Sequence, residues 1–332
     1  MSAPVITVEH VGKRFVRQPG LAERAAGLFT GGARSGTVQA LDDVTFAIAE
    51  REVVGLVGES GCGKSTLGRI VVGAIPPTTG EVKFRGVALA ALDPAARRAV
   101  ARKIQMVFQD PMASLNPRMR IGEIVGEAPR VHGIVDKRET AADVDEMLAR
   151  VGLDPSFRDR YPHQLSGGQR ARVGIARALA MRPAFLVCDE PVAALDVSIQ
   201  AQVLNLLMRL RAELGLACLF ISHNLGVVAH VADRVVILYL GRVVEIAPNA
   251  ELFRAPNHPY TQALLANVPR LDTKKRRFAP IAGELPSPFA PPTGCHFHPR
   301  CPAAMDRCRT ERPALAEIAP GRFSACHLNP VS

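Results

Sequence analysis

The run Gly58-Glu59-Ser60-Gly61-Cys62-Gly63-Lys64-Ser65 fits the spacing G-x-x-x-x-G-K-[ST] at every fixed position. Its glycines let the backbone curl so that N–H groups point inward at phosphate oxygens. Lys64 can reach the outer phosphates of a nucleotide, and the Ser65 hydroxyl can ligate Mg²⁺. Thr66 continues into a helical pattern, whose positive N-terminal end favours an anion. Cys62 reads as a small residue of this loop, with a thiol open to modification. A second group follows the apolar run Phe185-Leu186-Val187-Cys188, which ends in Asp189 and Glu190. That pattern describes a buried strand delivering two carboxylates at its C-terminal end, where ligands sit in open α/β sheets. Asp189 would bind Mg²⁺ through water, and Glu190 would orient or deprotonate an attacking water. Leu165-Ser166-Gly167-Gly168-Gln169 precedes another helical pattern. There the Ser166 hydroxyl, the Gly168 amide and the helix N-terminus form a second anion site. One chain thus carries two anion sites but a single lysine-bearing loop. Two chains lying head to tail resolve this, each capping the nucleotide of the other.

These groups need strands to aim them. Val53–Val57 is a continuous apolar run directly before the phosphate loop, as in a strand buried on both faces. Runs of the same kind recur at Ile104–Phe108, Phe185–Cys188, Leu219–Ser222 and Val235–Tyr239, while Val5–Glu9 and Val44–Ile48 read as further strands. Helical patterns at Lys64–Val72, Ala141–Val151, Gln169–Met181 and Ile199–Leu214 separate several of them. This alternation predicts an α/β fold with a largely parallel sheet. The Gly- and Ala-rich stretch Pro19–Gly36 reads as a loop. After about Pro256 prolines become frequent, four of them within Glu284–Pro292, and the periodicity fades. The expected division is a nucleotide-binding domain over residues 1–255, with a helical subdomain at about 110–165, and a small C-terminal module over 256–332.

The chain has 332 residues, 48% of them hydrophobic, enough for one large domain or two unequal ones. No apolar run approaches the roughly 18 residues that span a bilayer. The N-terminus MSAPVITVEH has no signal-peptide pattern, so a cytosolic chain is expected, touching a membrane through other subunits. The formal charge of +10 favours an anionic partner, and the run Lys274–Arg277 reads as a solvated linker. With no tryptophan and three tyrosines there is little from which to build a base-stacking platform, and nucleic acid is not an expected partner.

Taken together, the loop, the Asp189–Glu190 pair and the Leu165–Gln169 element resemble the ATP-binding cassette family in identity, order and spacing. The resemblance implies its core fold, a P-loop sheet with an antiparallel β edge and a helical subdomain. It also implies roles for residues that mean little singly. Gln109 would contact Mg²⁺ and face a membrane subunit. Ala194-Leu195-Asp196 would form the D-loop, where serine is usual at Ala194. His223 would touch the γ-phosphate, with Asn224 where aspartate is more common. Phe15 or Arg17 would stack on adenine. The segments Phe108–Gly126, Asp189–Gln202, Asn257–Thr261 and Gly283–Pro292 further resemble ATPase subunits of oligopeptide and dipeptide importers, in the F-type half of their paired ATPases. That implies hydrolysis of ATP with Mg²⁺ and a second ATPase subunit as partner. It implies two transmembrane permeases, fed by an extracytoplasmic peptide-binding protein, and a peripheral place on the cytoplasmic membrane face. Nickel and other-solute importers share the pattern, and a soluble cassette ATPase acting on nucleic acid is the competing class.

Cys295, Cys301, Cys308 and Cys326 form C-x₅-C-x₆-C-x₁₇-C. Four thiolates suit a tetrahedral zinc or a 4Fe–4S cluster, and unmetallated thiols remain a third reading. His296, His298 and His327 lie close in sequence. The resemblance to peptide-importer ATPases favours the iron–sulfur cluster. Cys188 and Cys218 sit in apolar strands and read as small core residues.

Overall fold

The computed structural model describes residues 4–17, 36–110, 112–193, 195–267 and 283–329. The Pro19–Gly36 loop, apart from Gly36 itself, the Lys274–Arg277 run and Ala194 lie outside these residues. The phosphate loop follows β3 (Val53–Val57), all five residues of which are buried. The loop leads into α1 (Lys64–Val71). In the main sheet β3 lies between β8 (Ala217–Ser222) and β9 (Arg234–Tyr239), parallel to both. Beyond β8 come β7 (Phe185–Asp189) and β6 (Ile104–Val107), again parallel. The apolar runs read as strands are therefore neighbours in one sheet, buried on both faces as a parallel sheet requires. A second, antiparallel sheet holds β1 (Pro4–Arg17) and β2 (Gly36–Ala49), with β4 (Thr79–Phe84) and β5 (Val87–Ala88). Both β1 and β2 run well past the segments legible in sequence, because bulges reset their alternation.

On the other side of β6 and β7, α3 (Ile121–Val131) and α4 (Thr140–Arg150) pack on α5 (Gly167–Ala180). Ile121, Val125, Leu148 and Val173 are fully buried between them, and one core cluster runs from these helices into the sheet. The helix α2 (Pro94–Lys103) and α3 were not legible in sequence. The former has no buried residue, and the latter carries Pro129 internally. The helix α6 (Val197–Leu214) ends at Gly215, and α7 (Leu225–Val231) follows β8.

Among the described residues after 256, the strands do not form a sheet of their own. β10 (Arg242–Pro248) pairs antiparallel with β9, and the tail strands β11 (Ala316–Ala319) and β12 (Arg322–Ser324) extend the same sheet through β10. After α8 (Asn249–Arg254), the start of α9 (Pro259–Ala266) is fixed by Glu245 of β10. This carboxylate is 1% exposed and accepts the Asn257 and His258 N–H groups at 2.8 and 2.9 Å. Among the described residues no helix is long and apolar enough to cross a membrane.

Candidate active site

Four neighbouring parallel strands, β3, β8, β7 and β6, deliver the functional groups at or just past their C-terminal ends. The phosphate loop leaves β3, His223 follows β8, Asp189 closes β7 with Glu190 after it, and Gln109 lies two residues beyond β6. The side chains meet. Ser65 Oγ donates to Asp189 Oδ1 at 3.0 Å, which places two of the three expected magnesium contacts side by side, while the third, Gln109, turns to Glu190. Gln109 Nε2 donates to Glu190 Oε2 at 2.9 Å, and His223 Nδ1 lies 3.1 Å from Glu190 Oε1. Glu190 is thus gripped from two strands and its side chain is only 11% exposed.

Lys64 is 5% exposed and its ammonium crosses the loop, donating to the carbonyls of Gly58 at 2.8 Å and Glu59 at 3.0 Å. Those bonds compensate a buried charge within the cradle that the loop would offer to phosphates. Gly63 has φ of 108°, and a Cβ there would lie 2.4 Å from the Ala40 carbonyl oxygen of β2. No other residue fits this position, where the antiparallel sheet brushes the loop.

Burial raises the Asp189 carboxyl above the usual carboxylate range. The Ser65 hydrogen bond opposes this and the Glu190 charge adds to it. A divalent cation would remove that cost, so the donor set of a hydroxyl and a buried carboxylate fits Mg²⁺. Glu190 itself has φ of 45°, in the left-handed region. That costs a non-glycine residue about 1 kcal/mol or more. Its N–H still donates to Ile221 O at 3.0 Å, so the strand ladder holds the strained residue while its carboxylate faces Gln109 and His223. Asn224 caps α7, its Oδ1 accepting from Gly226 and Val227, so the departure from aspartate keeps the element that positions His223.

Ser166 caps α5. Its Oγ accepts from Gln169 N at 3.3 Å, and Gln169 Oε1 accepts from Ser166 N at 2.9 Å. This capping box starts the helix at Gly167, two residues before the apolar pattern. A Cβ on Gly168 would lie 2.6 Å from Ile199 Cγ2 of α6, so the turn is pressed against the segment after the D-loop. Ser166 and Gly167 are exposed in the single chain.

Phe15 is 43% exposed on β1, opposite Val38 of β2 and two positions from the Ala40 contact with the loop. The Arg17 side chain lies outside the described residues. Cys62 is packed in the loop as a small residue, and its thiol is not open to modification. It is 1% exposed and burial pushes its thiol up to about 11, so it stays protonated and covered. Cys188 and Cys218 are buried core thiols on adjacent strands, 3.7 Å apart.

All four tail cysteines border one small cavity with His298 and His327, while His296 turns away to the Leu240 carbonyl. Burial pushes the Cys295 thiol up to about 11 and raises Cys301 and Cys326. Among the described residues no three His, Cys, Asp or Glu side chains converge as a metal-ligand set. The four sulfurs line one cavity without forming a metal-ligand set there. A separate cavity of about 670 Å³ lies between β2, β10 and the tail. Its arginines are all paired: Arg234 with Glu52, Arg242 with Asp42, and Arg312 with Asp43.

A parallel sheet presenting this loop, two strand-end carboxylates and a serine-glycine helix cap is the nucleotide-binding domain of an ATP-binding cassette ATPase. The comparisons agree. Residues 41–193 match the ABC transporter family and residues 244–308 match the C-terminal region of oligopeptide/dipeptide transporters. A putative oligopeptide transport ATP-binding protein, YkfD of Bacillus subtilis, is 54% identical over 297 residues, 88% of this chain and 90% of that one. The oligopeptide transport ATP-binding protein AppF of the same organism is 48% identical, across 98% of this chain and 97% of its own. The dimeric post-hydrolysis structure of the cassette MJ0796, bound to ADP and Pi, superposes with a TM-score of 0.62 at 30% identity, over 74% of this chain and 98% of that one. The chain belongs to the ATP-binding subunits of oligopeptide/dipeptide ABC transporters.

The role of the tail at the nucleotide site was not legible. Arg300 and Tyr260 both reach Glu59 of the phosphate loop from 200 or more residues away in sequence. Asn257–Thr261 stood out only as a family-like segment, and no sequence signal marks Arg300.

Proposed function

We propose that this chain powers peptide import as one of two ATPase subunits that close head to tail around two ATP molecules, beneath two transmembrane permeases. What carries this reading is the convergence of Gln109, Glu190 and His223 beside the Ser65–Asp189 pair, at one edge of one sheet. When bound, Mg·ATP supplies the phosphoryl group. The loop N–H groups and Lys64 hold its phosphates, and Ser65 and Asp189 hold the cation. Glu190 takes a proton from the attacking water, while Gln109 and His223 flank its carboxylate and would turn to Mg²⁺ and the γ-phosphate once these are bound. The Ser166–Gly168 turn, exposed at Ser166 and Gly167, serves the neighbouring subunit's nucleotide. Phe108 and Met112, 44% and 48% exposed around Gln109, offer an apolar rim for a cytoplasmic helix of the permease. Closure of the ATPase pair would move that rim, and hydrolysis would release it. Peptides would reach the permeases from an extracytoplasmic binding protein, with this chain peripheral on the cytoplasmic face.

The tail cysteines are read as holding a 4Fe–4S cluster through Cys295, Cys301, Cys308 and Cys326, with zinc as the alternative. Support comes from four cysteines around one cavity in a proline-rich segment, Cys308 buried and the other three half-buried. Anaerobically purified full chain should be brown and carry iron and acid-labile sulfide. Colourless protein with zinc selects the alternative, and protein with neither excludes both.

The decisive experiment recovers the full complex from membranes and places it in vesicles with a peptide panel. ATP-driven peptide uptake lost in Lys64→Ala supports the reading. Nickel uptake without peptide uptake moves the substrate, and recovery with nucleic acid in place of permeases removes the transport role.

A further inference from the structure

Glu59 is the first variable residue of the phosphate loop, and the C-terminal segment holds both its side chain and its amide. Arg300 Nη1 and Nη2 donate to the two Glu59 carboxylate oxygens at 2.7 and 3.1 Å, a fork-to-fork pair. The Tyr260 hydroxyl accepts the Glu59 N–H at 2.9 Å. The remaining polar group, the Glu59 carbonyl, accepts from Lys64 at 3.0 Å. A continuous hydrogen-bonded path therefore runs from the tail through Glu59 to the lysine that would meet the phosphates.

The anchors are rigid. The Arg300 side chain is 5% exposed, and its Nη1 also lies 3.4 Å from the Tyr239 hydroxyl. Tyr260 is fully buried, with its ring 4.6 Å from Tyr239 and 5.4 Å from Phe297, centroid to centroid. Tyr239 ends β9, the strand beside the loop, so both anchors are braced on the sheet itself. A buried ion pair is weak evidence for stability, because desolvation offsets its attraction. What a bidentate pair does supply is fixed geometry.

We propose that Arg300 and Tyr260 are positioning residues of the ATPase site, holding Glu59 so that Lys64 and the loop amides keep the shape that receives ATP. This rests on the ATPase reading above. The tail then belongs to the nucleotide site as well as to the sheet. A loop released from these anchors samples other shapes and binds ATP less tightly before and during the reaction alike. The loss should fall on KM and leave kcat nearly unchanged.

The test uses the full-length chain and follows the KM for ATP, Mg·ATP affinity and thermal stability together. Tyr260→Phe keeps the ring and removes only the hydroxyl. Glu59→Gln removes the charge paired with Arg300, and Arg300→Met removes the fork at similar length. Each should raise KM about three- to tenfold, and the Glu59→Gln/Arg300→Met double variant should be no worse than Arg300→Met, because both break one link. An unchanged KM in Tyr260→Phe and Glu59→Gln, whatever their stability, overturns the proposal. Fully additive effects in the double variant overturn it too. If Arg300→Met does not fold, the other two variants decide the matter. Wild-type protein that binds no more ATP than Lys64→Ala would sink the ATPase reading itself, an outcome distinct from an unshifted KM.

Discussion

At the scale of single residues, the proposed base is Glu190, held in a strained backbone conformation between Gln109 and His223. Its replacement by glutamine keeps the shape and removes the base. Glu190→Gln should retain ATP binding while turnover falls about a hundredfold or more, within the range of a lost general base. Phosphate release compared with nucleotide binding in one preparation checks this, and normal hydrolysis would refute the assignment. Asp189 leads to a pH prediction. Its buried carboxyl titrates above the usual range, and only the anion binds Mg²⁺. As pH falls through that raised value the site loses its cation ligand earlier than an ordinary aspartate would. Higher Mg²⁺ favours the anion, so it should push the acid limb of the ATPase profile to lower pH. A limb that ignores Mg²⁺ would exclude Asp189 as its source.

At the scale of elements, helix starts carry the second half of the site. Ser166 has two proposed jobs on one turn: its Oγ caps α5, and the residue is exposed, where a neighbouring subunit's nucleotide would meet it. In the lone chain Ser166→Ala should cost about 1 kcal/mol, the usual worth of such a cap, seen as a modest drop in melting temperature. Gly168→Ala should cost more, because its new Cβ would meet a branched side chain of α6 at 2.6 Å and overpacking costs about 1–3 kcal/mol. Denaturant midpoints of the two variants give the ranking directly. A larger loss in Ser166→Ala would mean that the Ile199 contact yields easily.

At the scale of the whole molecule, the exposed Ser166 and Gly167 and the lone phosphate loop predict that activity is shared across chains. In the paired complex, Ser166→Ala here should lower turnover at the site built on the partner's loop, by up to about a hundredfold for a lost stabilising donor. Complexes in which only one of the two loops keeps its lysine separate the sites. Equal losses at both would contradict the head-to-tail arrangement.

Most of the candidate site was legible from the sequence alone because its motifs are local. A glycine-rich run after a buried strand, two acids at a strand end and a serine-glycine cap before a helix each state their chemistry within a few residues. The parallel strands were legible for the same reason, since burial on both faces leaves continuous apolar runs. Gln109 and His223 took meaning only from resemblance, and the sheet order is what brings them to Glu190. The tail shows the limit most clearly. Its prolines and sparse periodicity read as an appendage, yet β12 joins the main sheet and Arg300 and Tyr260 close on the phosphate loop. No local signal can announce an ion pair 241 residues apart, because side-chain chemistry is written in sequence while proximity between distant segments is created only when the sheet forms.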